Sequence, residues 1–375
     1  MSLYLHFPFC KKKCAYCDFN SYSNLENLIV PYVKALKAEI GRYLPEPRLI
    51  RTVFFGGGTP SYLSVEILAD ILLFIKEYFR VSPDAEITLE TNPGTIKGQD
   101  LVFLKSVGFN RLSIGLQTSQ NHLLNNIGRI HSLADFLNIY ESGRAAGFSN
   151  LGIDIIFGLP GQSLRDWSQT LEQVAVLKPE HISAYGLQLE AGTELAAAVE
   201  RGVTQLPSED EVVEMMRLAM SYLPEQGYRH YEISNYAKPG FESIHNLSYW
   251  RGNDYLGFGA GAYSTFNGER WFNIKEPWKY INAINAKTSV IAGREKLDSK
   301  TKAIEGLMLG LRLRTGLNLI EYENEYGINL IEATGPYLKS LLEQKMLVLK
   351  DPYLSLTDTG IMLSNSVISS LLAGI

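Results

Sequence analysis

Cysteine is scarce in this chain. Only three of its 375 residues are cysteines, and all three lie between positions 10 and 17. An odd number of cysteines in a chain of this length argues against a disulfide framework. Cys10, Cys14 and Cys17 are separated by three residues and then by two, so one short loop can hold all three thiols.

Long apolar runs and an excess of positive charge are also missing. No uninterrupted apolar segment is long enough to span a bilayer. The net charge is −5, whereas a nucleic-acid-binding protein usually carries a basic face, so the sequence predicts no nucleic-acid partner. The first predicted strand starts almost at Met1, which leaves no room for a signal or transit peptide. With its reduced thiols, the chain is predicted to be cytoplasmic.

The three thiols predict an iron–sulfur cluster. Thiolates of Cys10, Cys14 and Cys17 can hold three irons of a [4Fe–4S] cluster, because cysteine is the usual protein ligand of such clusters. The fourth iron stays open to a small molecule, since no cysteine remains. The alternative is a zinc site, which needs a fourth ligand, and His6 is the nearest candidate. His6 lies in an alternating apolar segment that predicts a strand, so the cluster is favoured.

Strand-like and helix-like segments alternate through the first half of the chain, and Gly108, Gly147 and Pro179 fall where helices should stop. Strands linked by helices form a parallel sheet with right-handed crossovers, which is either open and doubly wound or a barrel. The predicted strands are 3–7, 52–55, 86–90, 111–116, 151–157 and 181–187. The predicted helices are 27–44, 65–79, 98–107, 133–146 and 163–177.

Polar and glycine-rich residues follow these strands one by one. The cysteine loop follows the first strand, and the segment 56–60, Gly-Gly-Gly-Thr-Pro, follows the second. At or near the ends of the next four strands lie Glu90, Gln117, Asp154 and Gln188. The α/β barrels build their active sites at the carboxyl ends of strands, so this register favours a barrel.

The cysteine spacing resembles the signature of the radical S-adenosylmethionine (SAM) superfamily. Segments 5–10, 55–60, 110–117 and 154–161 are similar to the oxygen-independent coproporphyrinogen III oxidase group, almost from end to end. The resemblance implies an α/β fold with a partial (β/α)6 radical SAM barrel, in which SAM chelates the open iron and the reduced cluster can cleave it to a 5′-deoxyadenosyl radical. By motif matching it implies SAM contacts, in one or two molecules, at Tyr4, Tyr16, Gly57, Gly58, Thr59, Glu90, Gln117, Arg129, Asp154 and Gln188.

The residue types have roles that suit SAM. Consecutive glycines let the backbone approach a ligand without β-carbon clashes, although such a run is otherwise an ordinary tight turn. Glu90 and Asp154 can accept hydrogen bonds from ribose hydroxyls or pair with an ammonium group; the alternative is helix capping or an ion pair with Arg129. Arg129 can pair with the SAM carboxylate, or it is an ordinary surface arginine.

Two features separate this chain from the oxidases of the group. The oxidases of the group share a fourth cysteine, and this chain has Phe19 at that position. The segment 245–250, His-Asn-Leu-Ser-Tyr-Trp, resembles the His-Asn-x-x-Tyr-Trp motif of the haem chaperones among their relatives. Imidazole can be an axial haem ligand and aromatic rings can pack on porphyrin, so haem binding is expected at His245, Tyr249 and Trp250. The alternative is that His245 is a hydrogen-bonded residue of an interdomain segment.

A further departure follows the stretch 257–262. Many relatives have histidine one residue later, where this chain has Tyr263. A second axial haem ligand from that position would therefore be a phenolate or would be missing.

Three domains are expected. Residues 1–228 form the radical SAM core, and residues 229–295 form a connecting segment of loops and short strands that closes the barrel and carries the motif. Residues 296–375 are predicted to form a winged-helix-like α+β domain, with helices 302–313, 319–326 and 330–344 and strands 347–350 and 354–356. Acidic residues slightly outnumber basic ones there, so a lid or protein-docking role is favoured over DNA binding.

The leading hypothesis is a haem chaperone that holds a [4Fe–4S] cluster, SAM and haem and delivers haem to acceptor haemoproteins. An electron donor would serve the cluster, and the basic run 11–13 either helps to dock it or is simply solvated. Competing hypotheses are decarboxylation of coproporphyrinogen III, a radical SAM enzyme that modifies RNA, and a barrel whose cluster is only structural. No catalytic residue is assigned, and a homodimer or a peripheral membrane association through acceptors is left open.

Overall fold

A computed structural model describes residues 1–43 and 48–374. The predicted end of the first helix at Leu44 and the final residue of the predicted C-terminal domain, Ile375, lie outside this range. Six parallel strands form the centre of the fold and lie side by side in chain order. They are β1 (Ser2–Phe7), β2 (Ile50–Gly57), β3 (Val81–Thr91), β4 (Arg111–Gln117), β5 (Leu151–Phe157) and β6 (His181–Gly186).

Helices connect these strands, as the hydrophobic period predicts. Ser64, Ser132 and Ser163 each cap the helix that follows, accepting a backbone hydrogen bond from its first turn. The helices of this half are α1 (Ile29–Ile40), α2 (Val65–Tyr78), α3 (Gly98–Val107), α4 (Asn121–Asn126), α5 (Leu133–Ala145), α6 (Leu164–Leu177), α7 (Glu194–Glu200) and α8 (Glu209–Glu225), with short 3-10 turns at Glu26–Leu28 and Pro60–Tyr62. The sequence did not predict α4, α7 or α8.

Alternate residues of the central strands face two different environments. On β4 one set is buried against the helices: Leu112, Ile114 and Leu116. The other set lines a cavity on the inner face of the sheet: Arg111, Ser113, Gly115 and Gln117. The curved sheet therefore has an apolar outer face under the helices and a polar inner face, which is the arrangement of a partial barrel.

Segment 229–295 extends the sheet at both edges. Next to β6 lie β8 (Asn235–Ala237) and β7 (Arg229–His230), and next to β1 lie β9 (Tyr255–Phe258), β10 (Tyr263–Phe266), β11 (Glu269–Asn273) and β12 (Ile291–Lys296). The segment also contains two helices, α9 (Ile244–Trp250) and α10 (Pro277–Asn285), which the expectation of loops and short strands did not include. Closure of the barrel by this segment stays a prediction.

The C-terminal part has its own small antiparallel sheet and its own apolar core. The three predicted helices and the hairpin are confirmed, and β13, α14 and α15 are additions that the sequence did not predict. The elements are α11 (Ser299–Gly310), β13 (Leu317–Asn318), α12 (Leu319–Tyr326), α13 (Leu330–Glu343), β14 (Leu347–Lys350), β15 (Tyr353–Leu356), α14 (Asp358–Met362) and α15 (Ser364–Leu372). The predicted fold class is confirmed. None of the helices in the described ranges is long and apolar enough to cross a membrane.

Candidate functional site

A cavity of about 550 Å³ opens at the carboxyl ends of β1 to β6. Its wall contains all three cysteines and all but one of the residues expected to contact SAM. They are Cys10, Cys14, Tyr16, Cys17, Gly57, Gly58, Thr59, Glu90, Gln117, Arg129, Asp154 and Gln188. Residues that lie in or just after all six strands, together with Arg129, thus meet in one place, as the strand-end pattern predicts.

The cysteine loop is fixed by backbone hydrogen bonds to three distant segments. Cys10 N–H donates to the Tyr22 carbonyl at 2.9 Å, and Ala15 N–H donates to the Ile127 carbonyl at 3.1 Å. The Ala15 carbonyl accepts from Leu195 N–H at 2.8 Å, at the start of α7. The loop is therefore held in place by the fold before any cofactor binds.

Two of the three sulfur atoms accept hydrogen bonds. Thr59 Oγ1 donates to Cys10 Sγ at 3.4 Å, and Arg129 Nη1 donates to Cys14 Sγ at 3.6 Å. Burial raises the pKa of the Cys10 and Cys17 thiols, so a free thiolate is disfavoured there. Iron would supply the positive charge that stabilises the thiolates, while the two donors already point at sulfur.

The arrangement suits a cluster better than a single zinc ion. In the part of the chain that the structure describes, no three His, Cys, Asp or Glu side chains converge on one ion. A four-iron cluster does not require this, because each thiolate binds a different iron. His6, the candidate fourth zinc ligand, lies in β1 with Nε2 2.8 Å from the Asn20 carbonyl and Nδ1 3.0 Å from the Tyr4 hydroxyl. Burial lowers the pKa of His6 to about 4.

The glycine run packs directly against the cysteine loop. Gly58 N–H donates to the Phe7 carbonyl at 2.8 Å. A Cβ at Gly58 would lie 2.8 Å from the Phe9 carbonyl oxygen and 3.0 Å from Cys10 Sγ. Gly57 has a φ of +114°, which favours glycine. Only glycine therefore lets the end of β2 approach the sulfur atoms this closely.

Two half-buried carboxyl groups line the cavity, close enough for the charge of one to raise the pKa of the other. Glu90 Oε2 accepts from Gly57 N–H at 3.1 Å, and the carboxylate oxygens of Asp154 accept from Ser113 Oγ at 3.0 and 3.2 Å. Burial, followed by repulsion from Asp154, raises the pKa of Glu90 to about 8. Burial also raises the pKa of Asp154. Neither carboxyl caps a helix or forms an ion pair with Arg129 among the described residues, so both are available to polar groups of a ligand.

Arg129 is a half-buried residue of the cavity and not a surface arginine. Its Nη2 donates to Asn92 Oδ1 at 2.8 Å and to the Gly115 carbonyl at 3.0 Å, while its buried Nε has no partner. Burial raises the pKa of the neighbouring Tyr16, and the positive charge of Arg129 partly opposes this rise. Gln117 ends β4 with a φ of +70°, a conformation that costs free energy for a residue with a side chain and is often found at ligand sites.

Tyr4 is the one expected SAM contact that lies outside the cavity wall. Its hydroxyl meets His6, and its ring stacks on Phe54 with centroids 6.1 Å apart. Phe54 itself lines the cavity. A direct contact between Tyr4 and SAM stays a prediction.

The motif helix α9 buries its histidine completely. His245 is 2% exposed, with Nδ1 2.8 Å from Thr52 Oγ1 and Nε2 2.9 Å from the Tyr249 hydroxyl. Its ring stacks on Phe54 with centroids 4.8 Å apart. Burial lowers the pKa of His245 to about 3, so the imidazole is neutral. Both ring nitrogens have partners, and haem iron could bind His245 only after one of these hydrogen bonds is broken.

The two ends of α9 reach different cavities. Asn246 lines the cavity that contains the cysteines. Trp250 lines a second cavity of about 730 Å³, between α9 and the C-terminal helices, and its buried Nε1 has no partner. The Arg312 guanidinium lies over the Trp250 ring at 5.4 Å. Tyr263 lies apart from this helix, half-exposed and stacked on Phe272.

The sequence reasoning missed several residues of the first cavity. They are Phe54, Asn92, Arg111, Ser113, Ser183, Tyr185 and Asn246. A signal was present for four of them, because Arg111 and Ser113 on β4, and Ser183 and Tyr185 on β6, are polar residues at alternate positions of otherwise apolar strands. No comparable signal marks Phe54 or Asn246.

Comparisons with known proteins identify the family of the chain. The model of the radical SAM superfamily matches residues 4–174, and that of the HemN C-terminal domain matches residues 297–363. The heme chaperone HemW of Bacillus subtilis (strain 168) is 36% identical over 375 residues and covers 99% of both chains. The chain belongs to the HemW family. The HemW of Lactococcus lactis is also 36% identical, over 99% of this chain and 97% of its own.

Among solved structures, the coproporphyrinogen III oxidase HemN of Escherichia coli, described as a radical SAM enzyme, matches with a TM-score of 0.86. It is 24% identical and covers all of this chain and 90% of its own. At this identity the likeness shows the fold alone. The radical SAM superfamily, to which the chain belongs, implies a [4Fe–4S] cluster and SAM. The cysteine loop, the adjacent glycines 57 and 58, and the carboxyl groups of Glu90 and Asp154 suit both cofactors.

Proposed function

We propose that this protein binds a [4Fe–4S] cluster, SAM and haem, and that it delivers haem to acceptor haemoproteins in the cytoplasm. The observation that carries the proposal is the similarity to heme chaperones named HemW over the whole length of the chain. The exposed run Lys11, Lys12 and Lys13 beside the cluster loop offers a docking surface for an electron donor.

Cys10, Cys14 and Cys17 would hold the cluster. When bound, the cluster supplies an open iron that can chelate SAM and pass it an electron. The protein's own residues bind and orient the SAM molecule. The Glu90 carboxyl faces the cavity and can accept hydrogen bonds from an ammonium group, and the Arg129 guanidinium can meet a carboxylate. Gly57 and Gly58 keep side chains out of the space next to Cys10.

The haem would be bound next to α9. Trp250 lines the second cavity and has a buried N–H donor without a partner among the described residues, whereas His245 and Tyr249 are hydrogen-bonded to each other. Haem ligation by His245 therefore requires the side chain to leave its partner Thr52 or Tyr249. A haem that is bound without strong ligation can also be released to an acceptor, which a chaperone requires.

We also propose the three domains expected from the sequence: 1–228, 229–295 and 296–375. The buried apolar residues form two large clusters, which support the boundary before residue 296 and pack segment 229–295 against the radical SAM core. The first includes residues from Leu3 to Val290, and the second includes residues from Ala303 to Leu371.

An anaerobic haem titration of the cluster-reconstituted protein tests the function. We expect saturable binding of about one haem per chain, and we expect Trp250→Phe to weaken it about three- to ten-fold, because the variant keeps the ring and removes the donor. His245→Ala should weaken binding only if the histidine moves to the iron. Trp278→Phe, a half-exposed tryptophan on α10, is the matched control and should bind haem as the native protein does.

A parallel turnover assay with coproporphyrinogen III distinguishes the oxidase. We expect no turnover, since Phe19, 62% exposed at the edge of the cavity, stands in place of the fourth cysteine. Turnover without stoichiometric haem binding would overturn the chaperone proposal.

A further inference from the structure

Arg111 is a buried cation within the first cavity. It begins β4, it is 2% exposed, and it lines the cavity together with Glu90 and Asp154. Across residues 1–43 and 48–374, no hydrogen-bond or ion-pair partner lies within reach of its guanidinium, and its Nε is fully enclosed. Buried arginines are normally paired, because a desolvated charge without a partner destabilises the folded state.

The nearest carboxyl groups do not supply the missing partner. Both are close enough for Arg111 to lower their pKa, yet neither lies within ion-pair distance. Glu90 accepts from the Gly57 amide and Asp154 accepts from Ser113. At neutral pH Glu90 is mostly protonated, since burial raises its pKa to about 8. The positive charge of Arg111 therefore stays without a contact counter-charge.

Asn246 adds a second polar group to the same part of the cavity. It lies on α9, which is anchored through Glu86 of β3 and Thr52 of β2. Within the described ranges its side-chain amide has no hydrogen-bond partner, and it lines the same cavity. Arg111 is close enough to His245, the neighbour of Asn246 in the chain, to lower its pKa, so both side chains bring N–H donors to one part of the cavity.

We propose that Arg111 and Asn246 form a binding site for a ligand carboxylate. A guanidinium can hold a carboxylate through two parallel N–H···O bonds, and the amide of Asn246 can donate a third. The inference rests on the proposed function, because that function supplies a ligand with free carboxylates, the propionates of haem. The amino-acid end of SAM would bind the open iron beside the cysteines and Arg129, so it is not the occupant. Binding of the anion would relieve the cost of the buried charge.

Ligand titrations of Arg111→Met test this site in the cluster-reconstituted full chain. We expect haem to bind at least about ten-fold more weakly to the variant, and Asn246→Ala to weaken haem binding to a smaller extent, whereas both variants should bind SAM as the native protein does. The dimethyl ester of haem, which has no free carboxylate, tests the contact directly. The native protein should bind the ester about ten-fold more weakly than haem, and Arg111→Met should bind both alike.

Thermal unfolding of the cluster-reconstituted protein without SAM or haem provides the independent readout. Arg111→Met should unfold at the same or a higher temperature, because it removes a charge without a partner. Arg144→Met is the matched control, since Arg144 is paired with Glu180 at 2.7 Å, and it should unfold at a lower temperature. A lower unfolding temperature for Arg111→Met, or native affinity of this variant for haem, would overturn the proposal.

The titrations also separate this inference from the proposed function. If the native protein binds no haem, the chaperone proposal fails, while thermal unfolding of Arg111→Met still tests whether the buried charge lacks a partner. If haem binds and the Arg111 variant retains native affinity for haem, the function stands and the carboxylate site does not.

Discussion

The half-buried carboxyl groups of Glu90 and Asp154 determine the charge of the cavity wall. Glu90 and Asp154 both have raised pKa values, mainly because burial disfavours their charged forms. Their hydrogen bonds with Gly57 and Ser113 only partly oppose this effect. An ammonium group bound between them would restore the charged forms, so the wall is better adapted to a cationic ligand than to an empty site.

The raised pKa of Glu90 predicts how stability depends on pH. The folded state holds the proton more tightly than the unfolded state, so the contribution of Glu90 is complete below the ordinary value of 4.5 and is lost as pH rises through about 8. We expect the ligand-free native protein to lose thermal stability between pH 6 and 8.5. Glu90→Gln should lose about 2–4 °C less, because glutamine cannot ionise.

Calorimetry at several pH values in that range measures the difference. Glu141→Gln, which changes an exposed carboxylate of α5, is the control and should follow the native profile. Parallel pH profiles for the native protein and Glu90→Gln would contradict the predicted role of this carboxyl.

Residues at strand ends could be predicted to meet, but their partners could not. Gly57, Glu90 and Gln117 follow from strand positions, because the carboxyl ends of parallel strands lie at one edge. Arg111 begins its strand, and its long side chain reaches the cavity only because the barrel interior has room for it. His245 shows the same limit, since its two hydrogen-bond partners are separated from each other by nearly two hundred residues.

At the scale of single elements, a carboxylate on strand β3 holds helix α9 in position. Glu86 of β3 accepts from the N–H groups of Ile244 and His245, both at 3.0 Å. Such groups at the start of a helix have no partner within the helix. With only seven residues, α9 is too short to be stable alone, so this anchor and its packing decide where the motif lies.

Removal of this anchor should destabilise the protein. Glu86→Ala leaves two buried N–H groups without an acceptor, and we expect a loss of about 1.5–3 kcal/mol, the range for hydrogen bonds to charged groups. Glu86→Gln retains an acceptor and should lose less. Urea unfolding measures both, and Glu141→Ala is the exposed control. If Glu86→Ala were as stable as the control, α9 would have to be held by its apolar contacts alone.

Element length explains only part of which helices could be predicted, because α8, with 17 residues behind the Ser208 cap, was also missed. Helices α2, α5 and α6 contain 13 or 14 residues behind a serine cap, which is enough for the helical period to emerge. In contrast, α4 and α7 contain six and seven residues. The two-residue strand β13 depends on pairing with β15 and has no signal of its own.

The extension of the sheet at both edges is a property of the whole molecule. Segment 229–295 places β8 beside β6 and β9 beside β1, and these partners are distant in sequence. Local patterns indicate strands but not the edge to which each belongs. The sequence therefore predicted short strands in this segment but not the edge of the sheet that each one joins. It also did not predict the motif helix α9.

The two apolar cores predict that the molecule does not unfold in a single step. All four tryptophans, at positions 167, 250, 271 and 278, precede the C-terminal core, whereas both parts contain helices. The C-terminal core is the smaller one, and a smaller core stabilises less. In urea we therefore expect the far-UV circular dichroism to fall at lower concentration than most of the tryptophan fluorescence changes, with only Trp250, which lies beside the C-terminal helices, responding early. Coincident transitions would mean that contacts such as the ion pair between Arg270 and Glu305 join both cores into one cooperative unit. Arg270→Met should then separate the two transitions, which would locate the domain boundary near residue 296.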